Sequence, residues 1–228
     1  MRIVAVVPAL DEEAEIGACV ASLRDDVAEV IVVDGGSRDG TVAVAAEAGA
    51  RVMVAAGSTR AVALNTGAAV AAGDVVFFVH ADCRPAAGFA ADIAAAVEAG
   101  AGAGCFRMRF DSDHWLLRLS GWCTRADLGL IRFGDQTLFV RRSVLRDVCG
   151  FDERLMLMED HDIARRLRRR TRFVILPGPV IASARTYRRL GVYRTQLMAY
   201  PLVVALYRFG VPQPPLTRVY RRLLGGAR

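Results

Sequence analysis

Lysine is absent from the 228 residues, asparagine occurs once, at Asn65, and histidine three times. The missing lysine excludes a Walker-type phosphate loop, because G-x-x-x-x-G-K-S/T needs an ammonium on the phosphates. It also reads as the codon bias of a GC-rich genome. All thirty basic side chains are arginine for that reason, against 24 acidic ones. The arginine count therefore says little about function, whereas a lone asparagine stands out. No apolar run reaches the ~18 residues of a membrane-spanning helix. The five cysteines, Cys19, Cys83, Cys105, Cys123 and Cys149, form no C-x-x-C pair, which argues against structural zinc and for reduced thiols. The first apolar stretch, Ile3–Val7, runs at once into Pro8 and acids. It is too short for the apolar region of a signal peptide, so a cytoplasmic protein is expected.

What is present is ample material for a core. Hydrophobic residues make up 54% and charged residues 24%, which excludes disorder. The length predicts one domain with a short C-terminal appendage. Short β-branched runs at Ile3–Val7, Val30–Val33, Arg51–Val54 and Val75–Val79 alternate with helix-favouring stretches at Glu12–Arg24, Thr41–Ala48, Ala61–Ala72 and Gly88–Ala99. That alternation predicts βαβ units, hence an α/β fold with a parallel sheet covered on both faces. Beyond Gly100 the pattern loosens. Strands are expected at Gly104–Phe110, Thr137–Val140, Phe173–Leu176 and Val180–Ser183, and helices at His114–Arg125, Ser143–Val148 and Asp160–Arg169.

In an open α/β sheet, ligands bind beyond the carboxyl ends of the strands. After the first strand comes Pro8-Ala9-Leu10-Asp11-Glu12, after the second Asp34-Gly35-Gly36-Ser37-Arg38-Asp39-Gly40, after the fourth His80-Ala81-Asp82. Three strand ends thus carry carboxylates to one rim, although Asp11 or Asp39 alone would serve equally well as helix caps. The acidic first turn replaces the G-x-G-x-x-G of a dinucleotide site and would repel a pyrophosphate. Strand-end carboxylates suit the hydroxyl and amide donors of a nucleoside. A diphosphate among them needs a divalent metal. Asp82 is the candidate ligand, and oxygen ligation favours magnesium or manganese, with the nearby His80 tilting the choice toward manganese.

VVPALDEE, VVDGGSRDGT, GDVVFFVHADCRP and LMEDHDIARRLRR, in this order from Arg2 to about Ser183, resemble the family 2 nucleotide-sugar glycosyltransferases of GT-A fold. The segment GDQTLFVRRS further resembles a compact bacterial branch often found with arsenosugar-type biosynthesis genes. The resemblance implies a Rossmann-like, mostly parallel sheet over residues 1–185 and a helical extension over 186–228. It implies that Pro8, Asp11 and Glu12 shape the nucleotide pocket, that Asp34 accepts hydrogen bonds from the nucleoside, and that Arg60 meets the base or diphosphate. Asn65 would hold that loop or the donor, and Asp82 the metal. Asp160, of the Glu159-Asp160 pair, would be the base that deprotonates an acceptor hydroxyl in an inverting displacement. Asp135 and Gln136 would line the acceptor side or form only a turn. The family's D-x-D appears here as His80-Ala81-Asp82, which leaves His80 to replace the first acid on the donor side. A UDP-sugar is the family's default donor.

Two other readings keep the fold: a sugar nucleotidyltransferase, which lacks the expected basic first turn, and a catalytically degenerate nucleotide-sugar-binding scaffold, for which His80 speaks. The C-terminal region interleaves arginine with Tyr187, Tyr193, Tyr200, Tyr207 and Tyr220. Its apolar residues Leu197, Met198, Leu202, Val203, Leu206 and Phe209 predict either ordinary packing or a dimer contact, or a peripheral contact at the inner face of a membrane. No nucleic-acid module is present, and no nucleic-acid partner is expected.

Overall fold

The structure, a computed structural model, describes residues 1–126 and 137–224. The expected acceptor-side residues Asp135 and Gln136 lie outside the described residues. Among the described residues, eight strands form one sheet in the order β3-β2-β1-β4-β7-β6-β8-β5. They are β1 (Ile3–Ala9), β2 (Glu29–Asp34), β3 (Arg51–Val54), β4 (Val75–Phe78), β5 (Cys83–Pro85), β6 (Ala103–Phe110), β7 (Leu138–Arg141) and β8 (Phe173–Ala182). The first four are parallel, as the βαβ pattern predicts. Strand β7 is antiparallel to both β4 and β6, and β8 is parallel to β6. The carboxyl ends of β1, β2, β4, β6 and β8 therefore share one edge of the sheet.

Helices α1 (Glu13–Ala21) and α4 (Phe89–Glu98) cover one face, where Ile16, Val20 and Ile93 meet Ala5, Val7 and Phe77. On the other face α3 (Arg60–Val70), α6 (Arg142–Asp147) and α7 (Glu159–Arg170) bring Leu64, Leu145, Ile163 and Leu167 onto Val4, Val6 and Ile31. Successive β1 residues supply opposite cores, which is the period-two geometry of a strand buried on both sides. Pro8, in a central strand, lies beyond the last β1–β4 pair, Val6 with Phe78. Its missing N–H therefore removes no bond from that ladder.

Two strands expected near Phe173–Leu176 and Val180–Ser183 are one. Strand β8 continues through Pro177-Gly178-Pro179, and its register against β6 shifts between Phe106 and Arg107. The prolines cannot donate to the ladder, so the extra residues bulge out instead of ending the strand. The three-residue β5 was too short to show a period.

The C-terminal region forms α8 (Arg185–Leu190), a π-helical segment (Arg194–Ala199), α9 (Tyr200–Arg208) and α10 (Gln213–Leu224). Val203, Leu216 and Leu224 are buried, while Leu197, Met198, Leu202 and Phe209 are exposed. The segment thus packs through one side only. No described helix is long and apolar enough to cross a membrane.

Helix α3 is seated on the sheet through Gly67, where an added Cβ would stand 2.4 Å from Val6 Cγ1 and 3.1 Å from Val33 Cγ2. Gly67→Val should therefore destabilise the fold by about 1–3 kcal/mol, read as a lower midpoint in thermal or urea unfolding.

Candidate active site

The loops after β1 and β2 are laced together by their own polar side chains. Asp34 is buried at the end of β2, and its Oδ2 accepts from the backbone N–H groups of Gly36 and Ser37, both at 2.9 Å. The Ser37 hydroxyl donates to Asp34 Oδ1 and accepts from the Asp11 N–H at 2.8 Å. Asp11 adopts φ = 50° and takes the Arg38 N–H on Oδ1 at 2.7 Å. The Glu12 N–H donates to Thr41 Oγ1 at 2.8 Å. Asp34 is held in its own turn by these bonds, since Gly36 and Ser37 offer donors at contact range. Asp34 and Asp11 shape the rim.

Beside this rim, β4 ends and the chain turns through His80-Ala81-Asp82 into β5. The turn is fixed by Cys83 N–H donating to His80 O at 3.0 Å and Ser183 N–H donating to Asp82 O at 3.0 Å. Desolvation pushes the Asp82 carboxyl above its ordinary range, and the charges of Arg185 and Arg60 offset part of that rise. Desolvation likewise raises Glu12, opposed by the hydrogen bond and charge of Arg185. The Arg185 guanidinium, at the start of α8, donates to Glu12 Oε2 and lies within electrostatic reach of Asp82. Strand-by-strand reading of the sequence does not single it out. The signal was available: Arg185 follows the carboxyl end of β8, on the edge where the β1, β2 and β4 ends carry acids.

The third wall is the start of α7. Met158, just before it, sits in the left-handed region at φ = 70°, an uncommon conformation for a residue with a side chain. Carboxylates in a first helical turn are favoured by the helix dipole, and Glu159, Asp160 and Asp162 all lie there. Their tasks differ. His80 Nε2 stands 3.7 Å from Asp160 Oδ2. Glu159 is buried and pairs with Arg60 at 3.4 Å, so it anchors that arginine. Asp162 holds Arg165 and Arg166 at 2.6 and 2.7 Å, which engages two of the five arginines on the helix.

Asn65 clasps the loop that leads to α7. Its Nδ2 donates to Phe151 O and Glu153 Oε1, and its Oδ1 accepts from Phe151 N–H, all at 2.9 Å. The lone asparagine therefore holds this loop with both ends of its amide. Gln213 of α10 braces the same connection, its Oε1 accepting from the N–H groups of Met156 and Leu157 at 3.0 Å. Glu12, Arg60, His80, Asp82 and Asp160 are thus gathered around the strand ends, together with Arg185.

Among the described residues no group of three or more His, Cys, Asp or Glu side chains is arranged to hold a metal. A single desolvated carboxylate, Asp82, fits magnesium or manganese, which keep several waters and share substrate phosphates instead of filling an all-protein cage.

Comparison with known proteins agrees with this geometry. Residues 4–151 match Glycosyl transferase family 2, and the chain belongs to that family. Its neighbours among solved structures are GT-A glycosyltransferases, which shows the fold. The mannosyltransferase PcManGT of Pyrobaculum calidifontis, in complex with GDP-Man and Mn2+, superposes with a TM-score of 0.69 at 20% identity, over 99% of this chain and 70% of that one. TarS of S. aureus gives 0.66 at 18% identity, over 98% and 71%. Glucosyl-3-phosphoglycerate synthase of Mycobacterium tuberculosis, with Mg2+ and UDP, gives 0.62 at 22%, over 92% and 80%. A curated TPR repeat-containing protein of Synechococcus elongatus is 41% identical over 73 residues, which are 32% of this chain and 18% of that protein. The chain thus matches less than a fifth of the length of that relative.

Two outcomes follow from the geometry. Asn65→Ala should cost about 1–3 kcal/mol in chemical unfolding, because it leaves the buried Phe151 amide and carbonyl without partners. Glu12 and Asp82 are both raised in the folded state, so the folded chain binds protons more tightly than the unfolded one. Their contribution to stability is complete below the unfolded carboxyl pKa and is lost as pH rises through the folded values. Arg185→Gln removes the opposing charge and should steepen that loss, read as a larger fall in unfolding midpoint between pH 4 and pH 8 than in the parent chain.

Proposed function

We propose that the protein moves a sugar from a nucleotide-diphospho-sugar to an acceptor hydroxyl with inversion at the anomeric carbon, and that Asp160 is the general base. The observation that carries this reading is the placing of Asp160 at the mouth of α7, beside His80 and across from the Asp82–Arg185 rim. Attack of the acceptor oxygen forms the new glycosidic bond as the bond to the diphosphate breaks, and Asp160 takes the hydroxyl proton. His80 orients the Asp160 carboxylate. Arg185 and Arg60 neutralise charge that develops on the departing diphosphate. Asp82 would hold a magnesium or manganese ion, which would supply further charge neutralisation on the diphosphate. The nucleoside lies against the rim of Pro8, Asp11 and Glu12, whose shape Asp34 maintains.

Neighbours that hold GDP-Man with Mn2+, or UDP with Mg2+, support a nucleotide-sugar donor and a divalent cation, and a UDP-sugar is the donor to try first. The acidic Leu10-Asp11-Glu12 turn favours transfer over nucleotidyl transfer, which would bring a triphosphate there. Residues 1–185 carry the site, and 186–228 serve as an extension that braces it through Gln213. The five cysteines are thiols, three of them buried, which supports a reducing compartment such as the cytoplasm.

Thermal unfolding with UDP, GDP and their sugars, each with and without manganese or magnesium, tests the reading. A ligand at a hundred times its dissociation constant should add about 2.7 kcal/mol. Asp82→Asn should abolish the metal-dependent part. Asp160→Asn should keep the stabilisation and lose about 10²- to 10⁴-fold in transfer rate. Full transfer by Asp160→Asn removes it as the base.

A further inference from the structure

A surface that transfer chemistry does not use lies next to the same sheet edge. Helix α5 (Trp115–Cys123) leaves the carboxyl end of β6 and buries Leu116, Leu117 and Gly121. Trp115, Leu119 and Trp122, spaced at i, i+4 and i+7, fall on one face of it. They are 58, 47 and 62% exposed. Two contacts join α5 to the π-helical segment alongside. Trp115 Nε1 donates to the Tyr193 hydroxyl at 3.1 Å, and Gln196 Nε2 donates to Ser120 Oγ at 2.9 Å. That segment exposes Leu197 and Met198, and Tyr193 just before it is exposed as well. Two adjacent elements therefore present a shared apolar surface, and surfaces of this kind mark interaction sites.

The charge around it is mostly positive, with Asp111, paired to Arg188, and Asp113 as the acids just before α5. Asp162 is the last acidic residue of the sequence, and residues 163–228 hold fifteen of its thirty arginines. Arg118 and Arg125 flank the tryptophans on α5, and Arg189 and Arg194 flank Tyr193. All four are exposed, and none makes an ion pair with a described residue. Tryptophan and tyrosine rings with polar tips, ringed by arginine, match the boundary between lipid headgroups and acyl chains. A protein partner would need a matching acidic face, and a second copy would set these arginines against one another.

We propose that this surface, built by α5 and the π-helical segment, docks on a bilayer containing anionic lipid. It lies at the edge where Asp111 of the β6 end accepts the Ala184 N–H at 2.6 Å, one residue before Arg185. Docking would hold that edge near the headgroups. The lipid contact itself does not depend on the transfer reading.

The sequence supplies its own probe, because its only two tryptophans, Trp115 and Trp122, both lie on this surface. The full chain is mixed with vesicles of phosphatidylcholine alone or with phosphatidylglycerol added, without nucleotide. Emission and co-sedimentation are read at low and high salt. The expected result is a blue shift and sedimentation with the anionic vesicles only, weakened by salt. Arg118→Gln and Arg194→Gln should each weaken binding about fivefold. Leu119→Glu with Met198→Glu should abolish it while leaving the nucleotide-dependent thermal shift intact, which separates a failure here from a failure of the site. Absence of binding, or binding that the substitutions leave unchanged, overturns the proposal. A concentration-dependent dimer that the double substitution dissolves, without lipid binding, assigns the surface to a second copy and overturns it as well.

Discussion

The guanidinium of Arg185 against Glu12, with Asp82 in reach, is the interaction on which the site depends. Gathering strand-end carboxylates at one sheet edge concentrates negative charge where water is scarce, and desolvation raises Glu12 and Asp82 accordingly. Two arginines offset this from different directions. Arg185 enters from the end of β8, and Arg60 enters from the start of α3, held by the buried Glu159. Under the proposed function these two arginines would also meet the diphosphate, since guanidinium groups bind carboxylate and phosphate oxygens alike.

Topology explains why these groups meet. Strands β1, β2, β4, β6 and β8 end at one edge because β7 alone reverses between β4 and β6. Each loop at that edge is then fixed by a partner from elsewhere in the chain. Ser37 ties the β1 and β2 loops, Ser183 ties the Asp82 turn to the end of β8, and Asn65 with Gln213 ties the approach to α7. Asp160 is placed by this bracing, which spans more than half of the chain.

The α/β pattern was legible because short β-branched runs and alanine-rich helices differ in period over the first hundred residues. Strand ends pointed to Asp82 and the acidic rim, and motif resemblance pointed to the family and to Asp160. What stayed hidden depended on contacts far apart in the sequence. Arg185 is one arginine among thirty until β8 is known to run parallel to β6. The bonds of Asn65 to Phe151 and of Glu159 to Arg60 likewise join residues that the sequence gives no reason to pair. The two prolines around Gly178 suggested a break, whereas the ladder absorbed them in a bulge.

Locating the metal tests the central claim most directly. A crystal of the chain grown with a nucleoside diphosphate and manganese, with data collected at the manganese absorption edge, gives its position without assumption. The account predicts an anomalous peak bonded to an Asp82 carboxylate oxygen and to the diphosphate, with Arg185 within hydrogen-bonding reach of the phosphate oxygens. A diphosphate bound away from Asp82, with Arg185 still on Glu12 and no manganese at that carboxylate, would contradict it.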